Sequence, residues 1–413
     1  MSKRTPAGAP ESRPTWETLE ACARLKVQEF LQAVLEEEVT EFLGRVKSGR
    51  RDSVDAPSGY RNGYGKTRRL SMQGGTVEVR RPRVRGLEEK FESRVLPMFR
   101  RRTEAIGSLL PELYLHGLSL GDFELALRGL LGDGAPLSAS SIARLRAKWE
   151  VEYEEWSRRD LSDRELVYAW ADGVYVKAGL EKEKAALLVV IGALKDGSKE
   201  ILAVRPGYRE SKESWKAAFR DLKDRGLEAP KLFMADGAAA AWSAVSEVWP
   251  EAREQRCWNH KIVNVLDQLP KKLQDAAREL LCQIPYAPTR ADALKGRENF
   301  ARRYRKTHPN AVGILEKDWE RMVAFYDFPK EHWKHLRTTN VIESPFAAVR
   351  LRTDAAKRFK KVANATSMIW RVLLVGESRF RKLNAPELLA EVHRGVQFED
   401  GKAVSRSNRK VAA

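Results

Sequence analysis

"ELVYAWADGVYV", Glu165–Val176, is the stretch on which the fold turns. It is an apolar, aromatic and β-branched run of strand length, broken by a carboxylate, Asp172, beside a glycine. Two more strand-like runs follow, "KAALLVVIGAL" (184–194) and "KEILAVRPGY" (199–208), joined by "KDGS", a good hairpin turn. Next comes "SKESWKAAFRDLKDRG" (211–226), with a serine cap, a helical period and a closing glycine. A short buried run, "KLFMADG" (231–237), a helix, "AAAAWSAVSEVW" (238–249), and a run into Cys257 complete the block. The order is three strands with a hairpin, then helix, strand, helix, strand. This is the order of the RNase H-like fold: an α/β core with a mixed sheet and helices on both faces.

Around this block the chain divides by composition. Residues 1–15 are polar with three prolines and read as a disordered tail. Residues 16–102 hold a long amphipathic helix, with Leu25, Phe30, Leu31, Val34 and Leu35 as its stripe, then a basic β/loop segment. That segment carries 13 Lys+Arg against 4 Asp+Glu over residues 60–102, and its glycines, Pro82 and the alternation at 76–79 suggest short strands and turns. Residues 103–160 read as short helices punctuated by Gly117 and Gly132, with Ser119 and Ser138 or Ser140 as caps. They suit a helix-turn-helix in a mostly helical DNA-binding region. Residues 161–400 form the RNase H-like domain, and 401–413 a basic tail.

At 413 residues the chain is too long for one ordinary core, and 43% hydrophobic residues can fill more than one. Its 75 Lys+Arg against 57 Asp+Glu, a net +18, favour a polyanionic partner, nucleic acid before an acidic membrane surface. The bland alternative is a soluble basic protein. Three scattered cysteines, Cys22, Cys257 and Cys282, do not make a secreted disulfide framework. No apolar core follows Lys3 and Arg4, and the longest clean apolar run is about half of the ~20 residues a membrane span needs. The expectation is an intracellular, soluble protein. The candidate phosphate contacts are Arg61, Lys66, Arg68, Arg69, Arg81 and Arg83 in the basic segment and Arg144 and Arg146 on the last short helix. Arg350, Arg352, Lys357 and Arg358 extend the set near the C-terminal end.

Five Asp-Gly pairs occur, at Asp133, Asp172, Asp196, Asp236 and Asp400, and each alone reads as a turn. Asp172 and Asp236 differ: both sit in "ADG" at the end of an apolar run, so two strand-end carboxylates can converge at one sheet edge. Two close carboxylates repel unless a cation holds them, and oxygen ligands suit Mg²⁺. Two such ions activate a nucleophile and stabilise the leaving oxygen in phosphodiester chemistry. Glu343, in "TTNVIESPFAAVRLRTDAAKRFKK", is the candidate third carboxylate. It also fits a capping box begun by Asn340, or a helix capped by Ser344 with Pro345 first. The run after it, from Val349 to Lys361, has six Lys+Arg against one Asp, which suits phosphates alongside a metal.

"ADG", "MADG", "RCWNHKIVNVLDQLP" and "RTTNVIESPFAAVRLRT" resemble the signature segments of the mutator-type bacterial insertion-sequence transposases. "GYRNGY" and "ELYLHGLSLGDFELAL" resemble that family's upstream segments, and the motifs run in family order from about residue 35 to 395. The resemblance implies a DDE triad of Asp172, Asp236 and Glu343 in an RNase H-like domain, with an α-helical insertion at about 265–335. It implies two Mg²⁺ ions, for which Mn²⁺ may substitute, cleavage of double-stranded DNA at the element's terminal inverted repeats, and transfer of the 3′-hydroxyl end to target DNA. It further implies a homodimer or larger assembly on DNA, in the bacterial cytoplasm with the nucleoid. The family's Cys-x-x-His element is here Cys257 and His260. Cys257 is read as packing under the site, and His260, between Arg256 and Lys261, as a donor or proton carrier at the scissile phosphate. A zinc site built with the second close pair, His332 and His335, is the competing reading. Trp319 and Trp333 could stack on an unpaired base or simply fill a core. Two other functions fit less of the chain: a non-catalytic helix-turn-helix regulator, and an RNase H-like nuclease or resolvase without strand transfer.

Overall fold

The computed structural model describes residues 14–51, 53–55, 58–97, 100–118, 127, 131, 139–179, 184–207, 209–237 and 239–404. It falls into two compact units, one within Met1–Tyr114 and Leu118–Arg144, the other within Leu115–Gly117 and Leu145–Ala413.

In the first unit, helix α1 (Leu19–Leu43) ends where Gly44 takes the left-handed conformation (φ 64°). Its buried positions, Leu35, Val39 and Leu43, all lie in its second half. Leu25 and Phe30, expected in the buried stripe, are 59% and 65% exposed instead, because the apolar packing of α1 begins at Leu31. Strands β1 (Tyr60–Tyr64), β2 (Arg68–Met72), β3 (Gly75–Val79) and β4 (Pro82–Arg85) form two antiparallel pairs, β1 with β4 and β2 with β3. Leu31 and Leu35 of α1 pack on Leu70, Val79 and Leu96. The Gln32 side chain bonds both the N–H and the carbonyl of Arg80, and Gln28 accepts the Glu78 N–H, so α1 satisfies backbone groups beside β3.

Helices α2 (Glu104–Leu115) and α3 (Ala139–Ser157) occupy two of the three short helical runs expected in 103–160. The middle run, with Ser119, Gly132 and the cap Ser138, lies outside the described residues, as do Asp133, residues 1–13 and residues 405–413; within it only Leu127 and Leu131 are described, both buried.

The second unit is built on a five-stranded sheet of β5 (Leu166–Val176), β6 (Ala185–Leu194), β7 (Lys199–Gly207), β8 (Leu232–Ala235) and β9 (Arg253–Arg256), in the order β7-β6-β5-β8-β9. β5, β6 and β7 run antiparallel, whereas β8 is parallel to β5 and β9 to β8. The "KDGS" turn closes the β6–β7 hairpin with Gly197 at φ 87°. Alternation along β5 divides its side chains between two faces. Ala169 and Ala171 meet the core of helices α4 (Lys212–Asp224) and α5 (Ala239–Val248), with Trp215, Phe219, Trp242 and Trp249. Their small side chains leave room for these four large rings, each worth roughly 1.5–3 kcal/mol when buried.

Tyr168 and Trp170 point the other way. The Tyr168 hydroxyl donates to Nδ1 of His332 (2.9 Å), and Trp170 Nε1 donates to the His335 carbonyl (3.2 Å). His332 and His335 belong to the helical stretch that follows β9, with α6 (Trp258–Leu266), α7 (Lys271–Gln283), α8 (Arg290–Tyr304), α9 (Pro309–Glu316), α10 (Trp319–Val323) and α11 (Trp333–Leu336). The chain ends with α12 (Asn340–Ala356), α13 (Val362–Glu377) and α14 (Pro386–His393). Among the described residues no helix is long and apolar enough to cross a membrane.

Candidate active site

Asp172 is not at a strand end, as its "ADG" suggests, because β5 continues to Val176 and stays paired with β6. What ends beside it is β8, whose last residue is Ala235. Each β5 residue paired with β8 meets the residue 64 positions further on: Tyr168 with Leu232, Ala169 with Phe233, Trp170 with Met234. Asp172 and Asp236 are themselves 64 positions apart, so the ladder carried on by two residues brings them level on neighbouring chains. Adjacent strands are about 4.8 Å apart.

The two glycines serve different neighbours. A Cβ on Gly173 would stand 2.1 Å from Oε1 of Glu210, and one on Gly237 (φ 115°) would stand 2.2 Å from Nε of Arg256. Arg256 in turn bonds the Asp236 carbonyl (3.4 Å) and Asp318 (3.0 Å). Glycine at 173 thus admits a carboxylate and at 237 a guanidinium. Asp196 and Asp400 do stand in hairpin turns.

Glu343 lies in the first turns of α12, whose N-cap is Thr339, not Asn340 or Ser344. The Thr339 carbonyl accepts the N–H groups of Ile342 and Glu343, so the helix starts early enough to enclose Pro345. Pro345 then deprives the Val341 carbonyl of its helical donor. Thr339 is placed from outside: its N–H donates to Sγ of Cys257 (3.3 Å), and its hydroxyl donates to Oε1 of Glu343. Cys257, 1% exposed, caps α6 directly after β9 and so ties the starts of α6 and α12 together. His260, in the first turn of α6, places Nδ1 3.7 Å from Oε1 of Glu343.

The carboxylates act on one another. The Asp172 carboxyl is pushed up to about 7, first by burial, with Asp236, Glu210 and Glu343 adding and the Gly173 N–H opposing. Burial also raises Glu210, with Asp236 adding and the Tyr175 hydroxyl opposing. His260 is raised to about 9, chiefly by the Cys257 sulfur and against burial, with Glu343 and Asp236 adding. Burial pushes the Cys257 thiol up, but His260 and the Thr339 N–H outweigh it and hold it below the usual range.

Sequence reasoning missed Glu210, Tyr175, Thr339 and Asp318. Tyr175 stands three residues after Asp172, and Glu210 directly precedes the cap Ser211, which were the available signals.

Among the described residues, the ligand atoms of Cys257, His260 and Glu343 form the one group of three or more His, Cys, Asp or Glu that lie mutually within 4.8 Å. His332 and His335 are not part of it: both ring nitrogens of His332 are used, by Tyr168 and by the Ala385 carbonyl (3.2 Å). The pairing of Cys-x-x-His with His-x-x-His is therefore not formed. Trp333 is buried with Nε1 on the Phe328 carbonyl, so its ring is not open for base stacking, whereas Trp319 is partly exposed, with the Trp258 ring edge-on to it and the Arg297 guanidinium over it. Lys261 does not face the site either; it is buried, with its ammonium on the Lys317 carbonyl.

The candidate DNA contacts also separate. Lys66, Arg83, Arg350 and Lys357 are exposed. Arg144 and Arg146 lie on α3. Arg69 pairs with Glu78, Arg68 bonds the carbonyls of Pro97 and Arg100, Arg81 bonds that of Phe91, and Arg358 bonds that of Gly179. Two depart from expectation. Arg61 is held by Glu36 (2.7 Å) and Thr40 (2.7 Å), where it fastens β1 to α1, and Arg352 is 2% exposed because its side of α12 faces the core.

Residues 12–381 match the family described as Transposase, Mutator family. The chain is 44% identical over 301 residues to the transposase for insertion sequence element IS6120 of Mycolicibacterium smegmatis, covering 73% of this chain and 93% of that one. It is 42% identical over 278 residues to the transposase for IST2 of Acidithiobacillus ferrooxidans, covering 67% and 94%. It is 26% identical over 345 residues to the transposase for IS256 in transposon Tn4001 of Staphylococcus aureus, covering 83% and 86%.

Proposed function

The chain belongs to the Mutator family of transposases, and from that premise we propose that it cuts DNA at the ends of an insertion sequence with a DDE centre of Asp172, Asp236 and Glu343. The observation that carries this reading is the parallel β5–β8 register over Tyr168–Trp170 and Leu232–Met234, which directs Asp172 and Asp236 to the same level. The strand order supports an RNase H-like core. Asp172, Asp236 and Glu343 offer the all-oxygen donor set that suits Mg²⁺, with Mn²⁺ as substitute, and a cation would offset the burial and neighbouring negative charge that raise Asp172. Asp172 and Asp236 would hold two ions and Glu343 one of them, and the ions would supply an activated water and charge stabilisation on the phosphate.

The chain's own residues do the rest. Thr339 and His260 orient the Glu343 carboxylate. His260, at the start of α6 beside Glu343, would serve as a hydrogen-bond donor to a phosphate oxygen. Cys257 sets the spacing of the two helices that present them. Water attacks phosphorus and the P–O3′ bond breaks, leaving a 5′-phosphate and a free 3′-hydroxyl; that hydroxyl then attacks a target phosphodiester, whose own P–O3′ bond breaks to release the target 3′-hydroxyl. Helices α2 and α3 support a helix-turn-helix that recognises the end sequence. Joining two ends in concert calls for at least a dimer on DNA, and the place of action is the cytoplasm, at the nucleoid.

The full-length protein incubated with the element's end sequence and Mg²⁺ should cut at the terminal repeat, in a complex heavier than one subunit. Asp172→Asn should lower cleavage by more than about 100-fold, or about 2.7 kcal/mol, and leave end binding intact. Cleavage by Asp172→Asn at the wild-type rate would exclude the reading.

A further inference from the structure

Glu210 stands outside the three expected carboxylates, yet the sheet delivers it to them. Tyr175 of β5 and Gly207 of β7 both pair with Ala186 of β6, so the end of β7 lies level with Tyr175. The chain turns three residues later at Glu210, just before the cap of α4. Its half-buried carboxylate lies against the Cα of Gly173, where any other residue's Cβ would stand 2.1 Å from Oε1. Tyr175 holds it there through its hydroxyl, and its charge acts on both Asp172 and Asp236. A carboxylate so placed makes the metal-free centre worse, since it adds a like charge to a crowded, buried group. It has a use if that charge is matched by a cation.

We propose that Glu210 is a fourth acidic residue of the Asp172–Asp236–Glu343 centre and contributes its carboxylate to a divalent cation held there, reaching it past the bare Cα of Gly173. The proposal rests on reading that centre as a metal site. Gly173 is then part of the metal site, because it is the residue that makes the approach possible.

The test is Mn²⁺ alone titrated into the full-length protein, with the free ion read by electron paramagnetic resonance, alongside thermal melting without metal. Glu210→Gln keeps an acceptor for the Tyr175 hydroxyl and removes only the charge. It should weaken Mn²⁺ binding about tenfold or more, while the metal-free protein melts no lower than wild type. Wild-type Mn²⁺ affinity in Glu210→Gln, with binding lost in Asp172→Asn, would overturn the role of Glu210 and leave the centre standing. Wild-type affinity in Asp172→Asn as well would overturn both. A metal-free Glu210→Gln protein that melts well below wild type would assign Glu210 to structure instead.

Discussion

At the scale of single residues, each of the two "ADG" glycines leaves space that a neighbouring charged side chain fills. Gly237 combines a left-handed φ of 115° with an Arg256 side chain that a Cβ would meet at 2.2 Å. Gly237→Ala should therefore cost at least about 1–2 kcal/mol, read as a lower urea midpoint, and should free Arg256 from the Asp236 carbonyl. An unchanged midpoint would mean that the turn after β8 is not held as described. Asp172 and Asp236 were legible because an apolar run ended on each; an isolated Asp-Gly carries no such mark, and Asp196 and Asp400 proved to be turns. Glu210 was not legible, because what singles it out is the absence of an atom on Gly173, 37 positions earlier. No local pattern records such an approach.

At the scale of elements, the succession of strands and helices and the β6–β7 hairpin could be read from apolar runs, helical period and turn chemistry, which are local. The start of α12 could not. Its cap, Thr339, is placed by Cys257, 82 positions away, and that contact overrides both local capping patterns. Two histidines also bond the sheet residues Tyr168 and Trp170, His332 fully buried and His335 partly so. Burial holds His335 down at about 4, against its bond to the Asn384 side-chain oxygen, and holds His332 below its ordinary value. Both are neutral in the fold, whereas the unfolded chain binds protons there below about 6.5. The unfolded state thus takes up more protons as pH falls, so stability present above pH 6.5 drains away between 6.5 and about 4. The melting temperature should drop through that window, and less steeply in His335→Gln. A melting curve for His335→Gln that drops as steeply as wild type would place the acid sensitivity elsewhere.

At the scale of the whole molecule, a net charge of +18 announced a polyanionic partner but not which cations meet it. The fold divides them, since an arginine engaged by its own unit adds stability rather than phosphate binding. Removing the exposed Arg83 should reduce the log–log salt slope of DNA binding by about one. Arg61→Ala should instead lower the melting temperature of the first unit, because it releases Glu36 and Thr40. If the two variants changed the slope alike, the division into structural and binding arginines would be wrong. The spacing of the carboxylates has a consequence in time. β5, β8 and β9 are complete once residue 256 has been made, yet Glu343 lies 107 residues after Asp236. At about 5–20 residues per second, translation separates the two by roughly 5–20 s. On the proposed reading, a growing chain in that interval carries both aspartates but not Glu343, and its centre is completed only when the helix bearing Glu343 has been made and docks.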